Sequence, residues 1–302
     1  MKKLLLTIFF MTLIRPIFSQ WLEPQTLRNT ILLEKEEGGI IIPHGTGFLF
    51  YNYKEPSKLI VVTCAHLLKN SSIYVSVNAD SAFLVYTKNK NIRNIIGNNL
   101  VWQIVGNRIR AKVDLYKNNL PVFAKHDSLD IAAFVIESPN MEIVIDSTIK
   151  FKTAKSLAIP QSMILFRKDL QLGDETYFIG FPFGIGTDDS VNPLVRSGSI
   201  AWFSTTTPFY LLDAFSYNGN SGSPVFLKTI LGPKLGDLSW NSSKLIGMII
   251  GHYYEGLNNI LVQPNPKELK FEIRNIESND GLAICVWMDD IMQVIGKLEK
   301  IN

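Results

Sequence analysis

Gly219-Asn220-Ser221-Gly222-Ser223-Pro224-Val225-Phe226 is a turn of small residues that runs straight into an apolar strand. Outward from it, short runs rich in β-branched and aromatic residues recur along the chain. Upstream they are Gly47–Tyr51, Leu59–Cys64, Ile73–Val77, Ala82–Tyr86, Ile131–Ile136, Thr176–Ile179, Val195–Phe203 and Tyr210–Asp213; downstream, Leu245–Ile250 and Gly281–Val286. Turn signals such as Gly97-Asn98-Asn99, Pro182, Pro193 and Asn218-Gly219-Asn220 separate most of them. Short strands at this spacing predict an all-β barrel or sandwich, not alternating βα units. One helix is expected at the end, capped by Asp289, with Ile291, Met292, Val294, Ile295 and Leu298 forming an apolar stripe. Lys297 and Lys300 sit at its carbonyl end, where positive charge suits the dipole.

The chain has 302 residues, 46% hydrophobic, enough for one large core or two smaller ones in series. Residues 1–19 read as an export signal: Lys2 and Lys3, an apolar run from Leu4 to Ile14, and Ser19 as the small residue before a cut. Arg15 ends that run too early for a bilayer span, and no later segment is long and apolar enough for one. A periplasmic or extracellular location is therefore expected. Cleavage removes Lys2, Lys3 and Arg15 and no acidic residue, which takes the formal charge from +3 to zero. A neutral mature chain offers no electrostatic footprint for nucleic acid or anionic membrane. Only Cys64 and Cys285 are present, each in an apolar run, where a buried small hydrophobe is favoured over a disulfide. The irregular stretch from Glu137 to Lys168 suits a crossing between two halves, residues 20–155 and 156–302. Lys228–Ser243 and Tyr253–Asp280 read as long loops.

Three sites stand out in chain order: Thr63-Cys64-Ala65-His66 at a strand end, Asp130 opening a strand, and Ser221 in the turn quoted first. A serine hydroxyl is a poor nucleophile until an imidazole accepts its proton. A carboxylate then holds that imidazole in the useful tautomer and stabilises the imidazolium. A glycine two residues before the serine lets the backbone turn, so that the amides of Gly219 and Ser221 face a developing oxyanion. Each site alone has a plain reading as turn or strand-end composition; their order and strand context together point to acyl transfer. The serine elbow of α/β-hydrolases does not fit, because it needs a glycine where Ser223 stands, a helix afterwards, and its histidine last. Asp127 competes with Asp130 but sits in His126-Asp127-Ser128, which reads as a turn. His44 and His126 read as ordinary surface or turn histidines.

The ordered motifs resemble the trypsin-like superfamily, and most closely the HtrA/Deg-type bacterial peptidase domain, over roughly residues 44–298. Gly45-Thr46-Gly47-Phe48 is similar to that family's opening strand, Thr63–His66 to its histidine motif, and Asp130–Phe134 to its aspartate motif. Gly173-Asp174 with Ile179-Gly180-Phe181-Pro182-Phe183-Gly184, then Arg196–Ile200 and Asp213-Ala214, resemble its second half. The resemblance implies two six-stranded antiparallel β-barrels with a C-terminal α-helix, a serine endopeptidase acting on polypeptides, and no metal or organic cofactor. It implies His66, Asp130 and Ser221 as the triad, and a substrate cleft near Phe215, Ile250, Gly251 and His252. His252 would face the first specificity pocket and favour acidic side chains, or else sit at its rim. Two departures matter: Asn218 stands where the family usually has Pro, and Ser223 replaces a Gly. No PDZ module is expected after the closing helix. A weakly active or inactive binding or sensor module is the alternative, with Asn218 and the long loops misaligning the oxyanion donors.

Overall fold

A computed structural model describes residues 24–51, 58–78, 95–97, 100–105, 108–137, 158–187, 191–228, 243–253, 256–261, 273–277 and 281–301. The export signal, the strand expected at Ala82–Tyr86 and the boundary near residue 155 lie outside these residues. A short helix, Pro24–Arg28, leads into β1 (Thr30–Glu37). The next strands are β2 (Ile40–Tyr51), β3 (Lys58–Thr63), β4 (Ser72–Asn78), β5 (Ile95–Gly97), β6 (Leu100–Val105) and β7 (Arg108–Asp114). After a two-stranded ribbon, β8 (Tyr116–Lys117) and β9 (Leu120–Pro121), come β10 (Phe123–Lys125) and β11 (Ala132–Glu137). Apart from the ribbon, these strands form one nine-stranded sheet in the order β10-β11-β3-β2-β1-β4-β7-β6-β5, a half-barrel with open ends.

The second half supplies β12 (Glu175–Gly180), β13 (Leu194–Phe203), β14 (Phe209–Asp213), β15 (Pro224–Leu227) and β16 (Lys244–His252). A hairpin of β17 (Gly256–Leu261) and β18 (Ile273–Glu277) follows, then β19 (Leu282–Trp287). Six of them close a barrel in the order β12-β13-β14-β19-β16-β15, every pair antiparallel. The molecule is therefore all-β with a C-terminal helix, as expected. The stretch expected to be loop after Tyr253 instead contains the β17–β18 hairpin.

Alternation along the strands decides the layers. On β12, Phe178 points into the closed barrel with Ile200, Tyr210, Val225, Ile246 and Trp287. Its neighbours Tyr177 and Ile179 point outward and join a core shared with Phe48, Val62 and Phe134 of the first sheet. Barrel strands buried on both faces read as continuous apolar runs, which is why they are visible in sequence. Ile159 and Ile164, in the segment joining the halves, bridge to Phe50 of β2 and Leu245 of β16 respectively.

The closing helix spans Met288–Ile301 and buries Met288, Ile291, Val294, Ile295 and Leu298. It packs against β10 and β11 of the first sheet as well as β16 and β19. Asp289 is not its cap: it lies inside the first turn, and its carboxylate accepts from the Arg167 amide at 3.0 Å. Lys297 pairs with Asp127 at 2.8 Å, tying the helix to the turn before β11. Both cysteines are buried free thiols.

Candidate active site

His66 lies in a single 3-10 turn, Ala65–Leu68, directly after β3. β3 pairs with β11, placing Ala132 opposite Thr63. Asp130, two residues before Ala132, is thereby carried to the same end of the sheet as His66. The Asp130 carboxylate takes two hydrogen bonds from that residue: Oδ1 from the His66 amide at 2.9 Å and Oδ2 from Nδ1 at 2.5 Å. Burial pushes the Asp130 carboxyl up, but these two bonds, the His66 charge and an Ala65 amide bond outweigh it and hold it below its ordinary range. The imidazole and the carboxylate are 39% and 31% exposed, so the pair sits at a surface that a substrate can reach.

The Ser221 turn is built from backbone. Asn220 N donates to Tyr217 O, Ser223 N to Asn220 O and Gly222 N to Ile249 O. Gly219 (φ +98°) and Gly222 (φ +89°) take angles closed to most side chains. A Cβ on Gly222 would stand 1.9 Å from Thr46 O and 2.6 Å from Thr63 Oγ1, so the turn lies hard against β2 and the end of β3. Thr46 N donates to Ser221 O at 2.9 Å across the two halves. Among the described residues, the amides of Gly219 and Ser221 have no acceptor. Phe183 N holds the Asn218 carbonyl at 2.7 Å, and because a trans peptide is planar, the Gly219 N–H points the opposite way.

The sequence profile of the trypsin-like peptidase domain matches residues 45–229, more than half of the chain. The chain belongs to the trypsin-like peptidase family. The matched span of this trypsin-like domain contains His66, Asp130 and Ser221 and supports a hydrolase of serine-peptidase type. No curated protein matches the chain.

Within the trypsin-like domain the expected residues are unevenly joined. His66 and Asp130 are directly bonded, whereas Ser221 Oγ makes no hydrogen bond to a described residue, and its turn meets the pair's surroundings through Thr46, Thr63 and the Ile249 carbonyl that Gly222 N shares with Cys64. Asp127 is 88% exposed and belongs to Lys297. His126 is a turn residue, its Nδ1 accepting from the amides of Ser128 and Leu129. Ile250 packs partly on the shared core, and Gly251 and His252 end β16, paired with Ile284 and Ala283 of β19. Phe215 is 49% exposed; its ring lies 6.4 Å from that of Tyr217, stacked with it, and contacts the site of Gly281.

Cys64, His66 and Asp130 are the one described set whose donor atoms lie close enough, within 4.8 Å, to share an ion. The set does not suit one. The short Nδ1–Oδ2 bond leaves no gap between two of the donors. The buried thiol donates a hydrogen bond to Ile249 O at 3.4 Å, and burial, then the Asp130 charge, push its pKa well up. It remains a neutral group packed beneath the pair.

Several residues that shape the site stood in the sequence only inside family-like motifs, with no role of their own. Thr46, fully buried, donates from Oγ1 to Gly219 O at 2.6 Å and accepts from Phe181 N at 3.2 Å. Gly180 must lack a side chain because Ser223 Oγ lies 2.0 Å from where its Cβ would be. Phe183, which fixes the Asn218 carbonyl, has φ +54°, a conformation costly for an aromatic residue. Its exposed ring lies 5.0 Å from Tyr217, over which Arg196 stacks at 4.9 Å.

Proposed function

We propose that this is an exported serine endopeptidase of the HtrA/Deg kind, cutting polypeptides through an acyl-enzyme. The observation that carries this reading is the His66–Asp130 hydrogen bond at 2.5 Å in a family of peptidases. Ser221 Oγ attacks the scissile carbonyl while His66 takes its proton, and Asp130 keeps Nδ1 protonated so that Nε2 is the base. Oxyanion charge falls on the Gly219 and Ser221 amides, a reading supported by their lack of other acceptors. His66 then returns the proton to the leaving amine, and water hydrolyses the ester by the same route. Phe215, Ile250, Gly251 and His252 are proposed to border the acyl half of the substrate. The run at residues 1–19 supports export to the periplasm or beyond.

Two observations favour a second reading, a binding or sensor module. Ser221 Oγ is not bonded to His66, and Asn218 takes the place of Pro in the oxyanion turn. Catalytic hydrogen bonds often tighten only around substrate, so reactivity decides. A fluorophosphonate should label the mature protein at Ser221, and unfolded casein should be cleaved, with both lost in Ser221→Ala. A wild-type protein that resists the probe, or casein cleavage that survives Ser221→Ala, would overturn the peptidase reading.

A further inference from the structure

A cleft of ≈ 400 Å³ opens beside His66, lined by Lys35, Glu36, Glu37, His44, His66 and Lys69. Every one of these residues belongs to the first half of the chain; none comes from the end of β16. His66 must protonate the departing amine, so the amine half of a substrate lies on the imidazole's side of Ser221. On the peptidase reading, a chain running past Ser221 from the Ile250–His252 edge would enter this cleft after the scissile bond.

The charges on its walls are unequally matched. Glu37 is taken by Lys35 at 2.8 Å. Glu36 accepts from Tyr74 Oη at 2.8 Å, and Lys112 lies 5.6 Å over the same ring. Lys69 has no partner among the described residues and is exposed at the cleft wall. Burial first, then the charges of Lys35 and His66, hold the His44 pKa down, against smaller opposite contributions from a Leu67 backbone hydrogen bond and Glu37. The walls thus carry two ammoniums and two carboxylates; Lys69 is the ammonium left without a partner among the described residues, and the cleft has room for a side chain.

We propose that this recess is a leaving-side specificity site for a carboxylate side chain, an Asp or Glu shortly after the scissile bond, with Lys69 as its main determinant and His44 lining it. The inference rests on the peptidase reading above. A carboxylate there neutralises Lys69 and faces a half-exposed wall, so the gain is that of one partly screened ion pair.

The test uses two internally quenched peptides, C-terminally amidated and identical except for Glu or Gln at the second residue after the bond that is cut. For the wild-type protein, kcat/KM should favour Glu about twofold to fivefold at low salt, and the preference should shrink in 0.5 M NaCl. Lys69→Ala should bring the ratio near unity, and Lys69→Glu should reverse it. Each ratio is internal to one variant, so partial loss of fold does not distort it. Equal cleavage of both peptides by a wild-type protein that labels with fluorophosphonate overturns this inference alone, as does a Glu preference that survives Lys69→Ala. A wild-type protein that neither labels nor cleaves overturns the peptidase reading and the inference with it.

Discussion

Asp130 binds one histidine twice, through the amide and the ring of His66, and that pairing has a pH signature. Its carboxyl is held below the ordinary carboxylate value, so the folded state favours the ionised form more than the unfolded chain does. The stabilisation is complete above about pH 4, the unfolded pKa, and is lost as the pH falls through the lower folded value. Asp130→Asn should therefore flatten the acid limb of thermal stability below about pH 4, while lowering kcat about 10,000-fold. Melting curves from acid to neutral pH, with single-turnover rates, check both; an unchanged acid limb would remove Asp130 from the account. At this scale the sequence carried much. Asp130 was distinguishable from Asp127 because it directly precedes a buried strand, whereas Asp127 sits among turn formers. Lys69 and His44 were not legible, because their meaning comes from a cleft assembled by the β1–β2 hairpin and the His66 turn.

Among the elements, those buried on both faces were legible and those with one unusual buried group were not. β12, β16 and β19 read as apolar runs because their neighbours in sequence enter different cores. β1 was hidden: Thr-Ile-Leu-Leu-Glu-Lys-Glu-Glu looks amphipathic and charged, yet Glu34 is 1% exposed. Arg110, far along the chain, meets it with two bonds of 2.8 Å, and Ser76 donates to it as well. No local pattern announces such a partner. The closing helix was legible from its stripe, but its docking surface was not, since β10 and β11 belong to the other half. Its attachment is apolar. Leu298, 1% exposed, should cost about 2–5 kcal/mol on truncation to Ala, whereas Lys297→Ala should leave the unfolding midpoint within error, because both partners of its salt bridge are at the surface. Denaturant titration of the two variants separates the effects; equal losses would mean the Lys297–Asp127 tie carries more than its exposure allows.

Across the whole molecule, one threonine joins the two halves at the site. Thr46 of β2 gives its amide to Ser221 O and its hydroxyl to Gly219 O, and that hydroxyl also accepts the Phe181 amide just after β12. Its carbonyl takes the hydroxyl of Thr63, which ends the strand leading to His66. Strand, Ser221 turn and barrel exit thus meet in a residue with no exposed surface. Thr46→Val keeps the shape and all backbone bonds but leaves the Gly219 carbonyl and the Phe181 amide without their partner. The orphaned Phe181 amide is buried and costs about 1–3 kcal/mol, the part-buried Gly219 carbonyl less, so stability should fall without loss of the fold. The larger effect should be catalytic. With Gly219 released on its carbonyl side, its amide is held only through the Phe183–Asn218 contact, and the proposed oxyanion interaction, used chiefly in the transition state, should weaken. That lowers kcat and leaves KM nearly unchanged, whereas a general loosening of the substrate cleft would raise KM. Thr46→Ser restores the hydroxyl without the methyl and should recover most of kcat. Full kcat in Thr46→Val would show that the two halves can slacken at this seam without disturbing the oxyanion turn, and the site's alignment would then have to come from the Phe183–Asn218 contact alone.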